Sequence, residues 1–319
     1  MSEHGGDRQD RRGFLECMGW AGTGALFTLS GGIAASTSIE AALAAPLRAG
    51  MRPAKVKPFS FVQISDTHIG FKKPANPDPL GTLRETIAKI KALPVQPDFV
   101  LHTGDITHLA TPEQFDMAQA ALSEISVPIH FIPGEHDILD GTNPQPYLDR
   151  FGKGTKGEGW YSFDANGVHF IGLISVVHLG DKGQGTLGAE QIKWLRDDVA
   201  HLSASTPIVV FSHFPMWALL PDWGWGTADG AVALAALKRF GSVTVLNGHV
   251  HQVQQKVEGH MTFHTARSTA FPQPAPGVGV GPGPLLVPPG QLRANIGLRS
   301  VQVKQNAGPL ALIDATLAG

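Results

Sequence analysis

Phe59-Ser60-Phe61-Val62-Gln63-Ile64-Ser65-Asp66-Thr67-His68 decides the architecture: a short apolar run, rich in Phe, Val and Ile, stops in a polar cluster. Such a run reads as a buried strand, because aromatic and β-branched side chains fit a pleated surface and the run is too short for a core helix. The same phrase recurs downstream. Residues 99–101 precede Gly104-Asp105, and residues 129–132 precede Gly134-Glu135-His136-Asp137. Residues 207–211 precede Ser212-His213, and residues 243–246 precede Asn247-Gly248-His249-Val250-His251.

Helix-like segments lie between these runs. They cover 80–93, then 112–125 with Thr111 as N-cap and Pro112 at the first helical position, then 188–202 with apolar Ile192, Leu195 and Val199. Strands alternating with helices predict an α/β sandwich. In such folds ligands gather beyond the carboxyl ends of strands, where every polar cluster falls, so the clusters are expected to form one site. Residues 297–303 and 310–316 read as two closing strands joined by an Asn306-Ala307-Gly308-Pro309 turn. Residues 271–290 are too rich in Pro and Gly for a helix or central strand. They form a long loop, either a specificity element over the active face or an inert connection.

Taken in order, Asp66-x-His68, Gly104-Asp105, Gly134-Glu135-His136-Asp137, His213 and Gly248-His249-x-His251 resemble the calcineurin-like metallophosphoesterase superfamily. Its pattern is D-x-H, G-D, G-N-H-D/E, H, G-H-x-H, and the resemblance spans residues 59–251 and the closing strands. Phe211-Ser212-His213-Phe214-Pro215 and Asn247 to Gln252 are most similar to class III cyclic-nucleotide phosphodiesterases. The resemblance implies an α/β sandwich of two mixed β-sheets flanked by helices. It also implies two divalent or trivalent transition-metal ions. Mixed imidazole and carboxylate ligands suit Mn, Fe or Zn better than Ca or Mg.

The implied ligands are Asp66, His68 and His251 at the first ion, Glu135, His213 and His249 at the second, and Asp105 bridging both. His136 corresponds to the histidine that contacts the scissile phosphate, and Asp137 would orient it. The chemistry needs this set: a phosphodiester is anionic with a poor leaving group. Two cations about 3.5–4 Å apart can hold a hydroxide, neutralise phosphoryl oxygens and fix in-line geometry. The expected activity is hydrolysis of phosphoesters, chiefly diesters, with a phosphomonoesterase as the alternative. A metal- or phosphate-binding protein without turnover is the alternative of another class.

Glu135 departs from the pattern, which has Asn there. With Glu135 ionised, two divalent ions against three carboxylates leave one surplus positive charge instead of two. This favours tighter metal retention and monoanionic diesters over dianionic monoesters. The bland alternative is that Glu135 does not ligate.

Of 319 residues, 42% are hydrophobic and 16% charged, enough for a full core. The formal net charge of -2 supplies no broad basic field for nucleic acid, so the expected partner is a small-molecule phosphoester. The one cysteine, Cys17, lies in the N-terminal segment, leaving no thiolate metal site downstream. Arg11-Arg12-Gly13-Phe14-Leu15, a weakly apolar stretch and Ala42-Leu43-Ala44 look like a twin-arginine export signal over residues 1–44. Residues 45–58 are then a linker, 59–319 the catalytic domain, and the periplasm or the outside of the cell the destination, with no stable membrane span after signal removal.

Satisfied structural roles are expected for His102, His130, His169, His178, His201, His260 and His264. They are also expected for His108, although its place three residues past Asp105 could bring it near substrate. Trp217, Trp223 and Trp225 read as a loop minicore or as stacking platforms.

Overall fold

Along the strand 59–64, Phe59 and Phe61 face one core while Val62 and Ile64 face another, so this strand is buried on both sides. That alternation sets the layering. The computed structural model describes residues 25–30, 33–38, 56–304 and 310–318. The Arg11-Arg12 pair, Cys17, Ala42 to Ala44, most of the linker and the 306–309 turn lie outside them. Strands β1 (Ala25–Ser30) and β2 (Ile33–Ser38) pair antiparallel as a separate hairpin.

Residues 52–319 form one unit. Its first sheet has the order β13-β12-β3-β4-β5, comprising β3 (Phe59–Ile64), β4 (Phe99–Thr103), β5 (Ile129–Ile132), β12 (Gly297–Val303) and β13 (Ala311–Thr316). β3, β4 and β5 are parallel, and the closing strands β12 and β13 add antiparallel. The second sheet has the order β10-β11-β9-β8-β7-β6. It holds β6 (Tyr161–Ala165), β7 (Val168–Leu173), β8 (Ile208–Ser212), β9 (Val243–Asn247), β10 (Gln255–Glu258) and β11 (Met261–Thr265). Its edges β6 and β10 are antiparallel and the rest parallel. Two mixed sheets flanked by helices are the expected fold class.

Between the sheets, Phe61 stacks on Phe99 at 5.1 Å and Phe170 meets both edge-on. Helices α1 (Pro79–Lys91) and α2 (Pro112–Leu122) cover the outer face of the first sheet with Leu83, Ile87, Phe115 and Leu122. Helix α3 (Gln145–Phe151) follows, and α4 (Gly188–Val199) covers the second sheet with Ile192, Leu195 and Val199. Thr111 caps α2 as expected, accepting from the Gln114 N–H at 3.3 Å. The helices end two or three residues earlier than their apolar patterns. Leu93, Ile125 and Leu202 close with i→i+3 turn bonds that end the helix while keeping the side chain on the core. Residues 271–290 contain no helix or strand.

Candidate metal centre

Five parallel strands end at the same edge, and each delivers one polar cluster just past its last residue. Asp66 and His68 follow β3, Asp105 follows β4, Glu135 and His136 follow β5, His213 follows β8, and His249 and His251 follow β9. Asp66, His68, Asp105, His249 and His251 all have left-handed backbones, with φ of 55°, 42°, 53°, 67° and 56°. That conformation is uncommon outside glycine, is tolerated best by Asp, Asn and His, and costs roughly 1–3 kcal/mol per residue. Each polar residue is thereby turned back over the strand ends instead of running on outward.

The side chains converge in two groups. Asp66, His68, Asp105 and His251 each place one ligand atom within 4.8 Å of the others, and so do Glu135, His213 and His249. Asp105 joins them. Its Oδ1 accepts from the His136 backbone N–H at 2.9 Å, while its Oδ2 lies 3.5 Å from His68 Nε2 and 3.5 Å from His213 Nε2. The Glu135 carboxylate turns inward, with Oε2 2.7 Å from His213 Nε2 and Oε1 2.9 Å from His249 Nδ1.

Buried Asp66 Oδ2, Glu135 Oε2, His213 Nε2 and both His249 ring nitrogens lack a hydrogen-bonding partner despite their close neighbours. Buried polar atoms left this way are costly, and cations within the two groups would satisfy them. The donor set fits two transition-metal ions. Carbonyls prepare the imidazoles: the Nδ1–H of His213 donates to Thr103 O at 2.7 Å and that of His251 to Phe271 O at 2.6 Å, leaving Nε2 bare.

The electrostatics say the same. Burial opposes charge on Asp66 and Glu135, but His251 and His213 beside Asp66, and His249 and His213 beside Glu135, outweigh it and lower both pKa values. Burial likewise opposes the charge on His213, yet Asp105 and Glu135 raise its pKa well above the ordinary imidazole value. The carboxylates demand positive charge, which a metal ion supplies while displacing the proton. Burial, and after it the crowding of imidazoles from His251, His136 and His108, holds His68 well below its usual value.

Near this centre His136 is half-buried. Its Nδ1–H donates to His108 O at 2.8 Å; burial lowers its pKa but Asp105 and Glu135 outweigh that, raising it. The Asp137 carboxylate, expected to orient the His136 ring, makes no hydrogen bond to it. The Asp137 carboxylate accepts instead from the N–H groups of Gly134, Ile106 and Thr107 at 2.8 to 3.0 Å, and from the Thr107 hydroxyl. The tight turn aims it into its own loop, so it shapes the Gly134–Asp137 turn. Burial and Asp105 raise its pKa to about 6.

Sequence reading overlooked several neighbours. Phe271 opens the 271–290 loop by stacking on His68 at 4.7 Å, and Phe71 packs against it at 4.3 Å. Gln273 donates to His249 O at 2.8 Å, so the loop begins as a wall of the site before Val278 and Val280 reach solvent. His108 faces His68 and His136, where its expected role was structural. Burial and nearby His136 lower its pKa to about 4. The tryptophans form minicores: Trp223 meets buried Trp225 edge-on and Trp217 meets Phe263.

The sequence signature of the calcineurin-like phosphoesterase family matches residues 59–253. A 3',5'-cyclic-nucleotide phosphodiesterase of Nostoc sp. is 25% identical over 220 residues, 67% of this chain and 79% of its own. A glycerophosphodiester phosphodiesterase of Enterobacter lignolyticus is 25% identical over 204 residues, 60% of this chain and 69% of its own. Among solved structures, a dimetal phosphatase from Danio rerio superposes with a TM-score of 0.60 at 16% identity, covering 82% of this chain and 99% of that one.

Proposed function

The chain belongs to the calcineurin-like phosphoesterase family, and from that premise we propose that this metal-dependent phosphoester hydrolase is a phosphodiesterase that works outside the cytoplasm. Asp66, His68 and His251 would hold one ion, Glu135, His213 and His249 the other, and Asp105 would be shared between them. Bound there, two transition-metal ions supply Lewis-acid charge to the phosphoryl oxygens and lower the pKa of a water. His136 does the rest. With Nδ1–H committed to His108 O, its Nε2 is left to face the phosphoryl group and, when protonated, to give its proton to the leaving alkoxide. Asp137 holds the turn that carries Glu135 and His136.

The observation that carries the diester reading is the inward carboxylate of Glu135. Asp66, Asp105 and Glu135 set against two divalent ions leave one surplus positive charge, which a monoanionic diester neutralises and a dianionic monoester exceeds. Among the described residues no Lys or Arg comes within ion-pair distance of these carboxylates. The diester substrates in the names of the Nostoc and Enterobacter relatives favour the same class. Rates on bis(4-nitrophenyl) phosphate and 4-nitrophenyl phosphate test it. The wild type should prefer the diester, and Glu135→Asn should move the ratio toward the monoester by about tenfold, a modest fraction of the Coulomb energy of one charge at this range. An unmoved ratio removes Glu135 from the argument, and faster monoester turnover by the wild type ends the diester reading.

Export rests on Arg11-Arg12 and Ala42-Leu43-Ala44. Among the described residues no helix is long and apolar enough to cross a membrane. Fractionation of cells producing the full chain should place it outside the cytoplasm, and Arg11→Lys with Arg12→Lys should retain it. Equal export of both contradicts a twin-arginine route.

A further inference from the structure

His213 and His251 both turn Nε2 to the centre and rest Nδ1–H on a backbone carbonyl, Thr103 O and Phe271 O. A carbonyl can only accept, so the tautomer of each ring is set. His68 turns Nε2 to the centre too, 3.2 Å from His251 Nε2, but its Nδ1 meets no carbonyl. It faces His108 Nδ1 at 3.4 Å.

We propose that His108 is a positioning residue for both halves of the catalytic machinery: its ring accepts the Nδ1–H of His68, and its backbone carbonyl accepts the Nδ1–H of His136. The assignment rests on the reading of His68 as a metal ligand given above. In this assignment His108 carries its own proton on Nε2, so its bare Nδ1 accepts from His68 and His68 presents the Nε2 lone pair inward. The same residue fixes the ring that faces the phosphate, through His108 O at 2.8 Å.

His108 is itself held from several sides. Its ring stacks on His136 at 4.7 Å and 18° and receives Phe71 edge-on at 5.1 Å. Its backbone N–H donates to Ile69 O at 3.0 Å and to Gln114 Oε1 at 3.2 Å, and Gln114 sits in the first turn of α2. A rigid helix therefore supports the loop that orients two working histidines. The position carries the same duty as the carbonyls behind His213 and His251, performed by a side chain, so substitution can remove it.

The test uses His108→Phe and His108→Gln in the full-length protein, with far-UV circular dichroism confirming the fold. Phe keeps an aromatic face against His136 and the backbone carbonyl but has no acceptor; Gln keeps an amide oxygen that can accept from His68. Competitive titration of the metal-stripped proteins with Zn²⁺ or Mn²⁺ against a chelating dye reads each site. His108→Phe should bind one of its two ions about 10–100-fold more weakly, the usual effect of losing such an outer partner, while His108→Gln stays within about threefold of wild type. Two ions held by His108→Phe as tightly as by wild type would overturn the assignment, and so would equal weakening in both variants, which would mean packing alone. A wild type that takes up no ion overturns the proposed function along with it, whereas tight two-ion binding by His108→Phe overturns only the role of His108.

Discussion

A Cβ placed on Gly134 would lie 2.0 Å from Asp105 Oδ1 and 2.4 Å from the Asp105 nitrogen. The glycine is therefore dictated by the carboxylate shared between the two ligand groups, since its φ of -103° is open to any residue. Gly134→Ala should displace Asp105 by about an ångström and cost about 100-fold in phosphodiesterase activity, as misplacements of that size do. The control Gly281→Ala adds a Cβ in open space and should leave the rate unchanged. Comparable kcat/KM in both variants would refute the steric account. At this scale the residue types were legible, because Asp, Glu and His in a fixed order announce metal chemistry. Their partners were not. Asp137 serves the Gly134, Ile106 and Thr107 amides, and any loop offers amides, so nothing in the letters distinguished that role from orienting His136.

Among the elements, the β6–β7 hairpin was within reach of the sequence. Asn166-Gly167 with φ of 50° and 91° is a two-residue turn signal between alternating runs. What the hairpin does was hidden. His169 on β7 is bracketed by Asp164 of β6 at 2.8 Å and Asp198 of α4 at 2.9 Å, pinning hairpin to helix. Burial lowers the His169 pKa but Asp198 and Asp164 outweigh it, so the net shift is upward; burial raises Asp198 but His169 and Ser162 outweigh it, so the net shift is downward. A raised histidine stabilises fully below its unfolded value of about 6.5 and ceases to as pH climbs through the folded value. A depressed carboxylate stabilises above its unfolded value of about 4 and ceases to as pH falls through the folded one. The clamp is therefore strongest between those limits. Thermal unfolding should show a wild-type advantage over His169→Gln that is larger at pH 5.5 than at pH 9, and an advantage independent of pH would dismiss the ionic clamp. Helix ends were misjudged because Leu93, Ile125 and Leu202 keep facing the core after the backbone has left the helix.

Across the whole molecule the two sheets are joined by a buried polar bridge as well as by aromatic packing. Arg299 of β12 is fully buried, pairs with Asp314 of β13, and donates to Gln63 of β3 and to Thr265 O of β11 in the other sheet. Gln63 in turn donates to Asn247 O at the end of β9. This bridge keeps the strand ends that carry Asp66 and His249 at a constant separation, and the His249 N–H completes it by donating to Asp66 Oδ1 at 3.1 Å. By itself the sequence determined the strand runs, the alternation with helices, and the kinds and order of side chains at the carboxyl ends, because periodicity and ligand chemistry are properties of local stretches. The tertiary structure alone decided that Asp105 Oδ2 stands midway between His68 and His213, that carbonyls sit behind His213 and His251, and that His108 sits behind His68. Each of those is a contact across loops distant in the chain, made through backbone groups that every residue possesses and through left-handed turns that leave no mark in the letters.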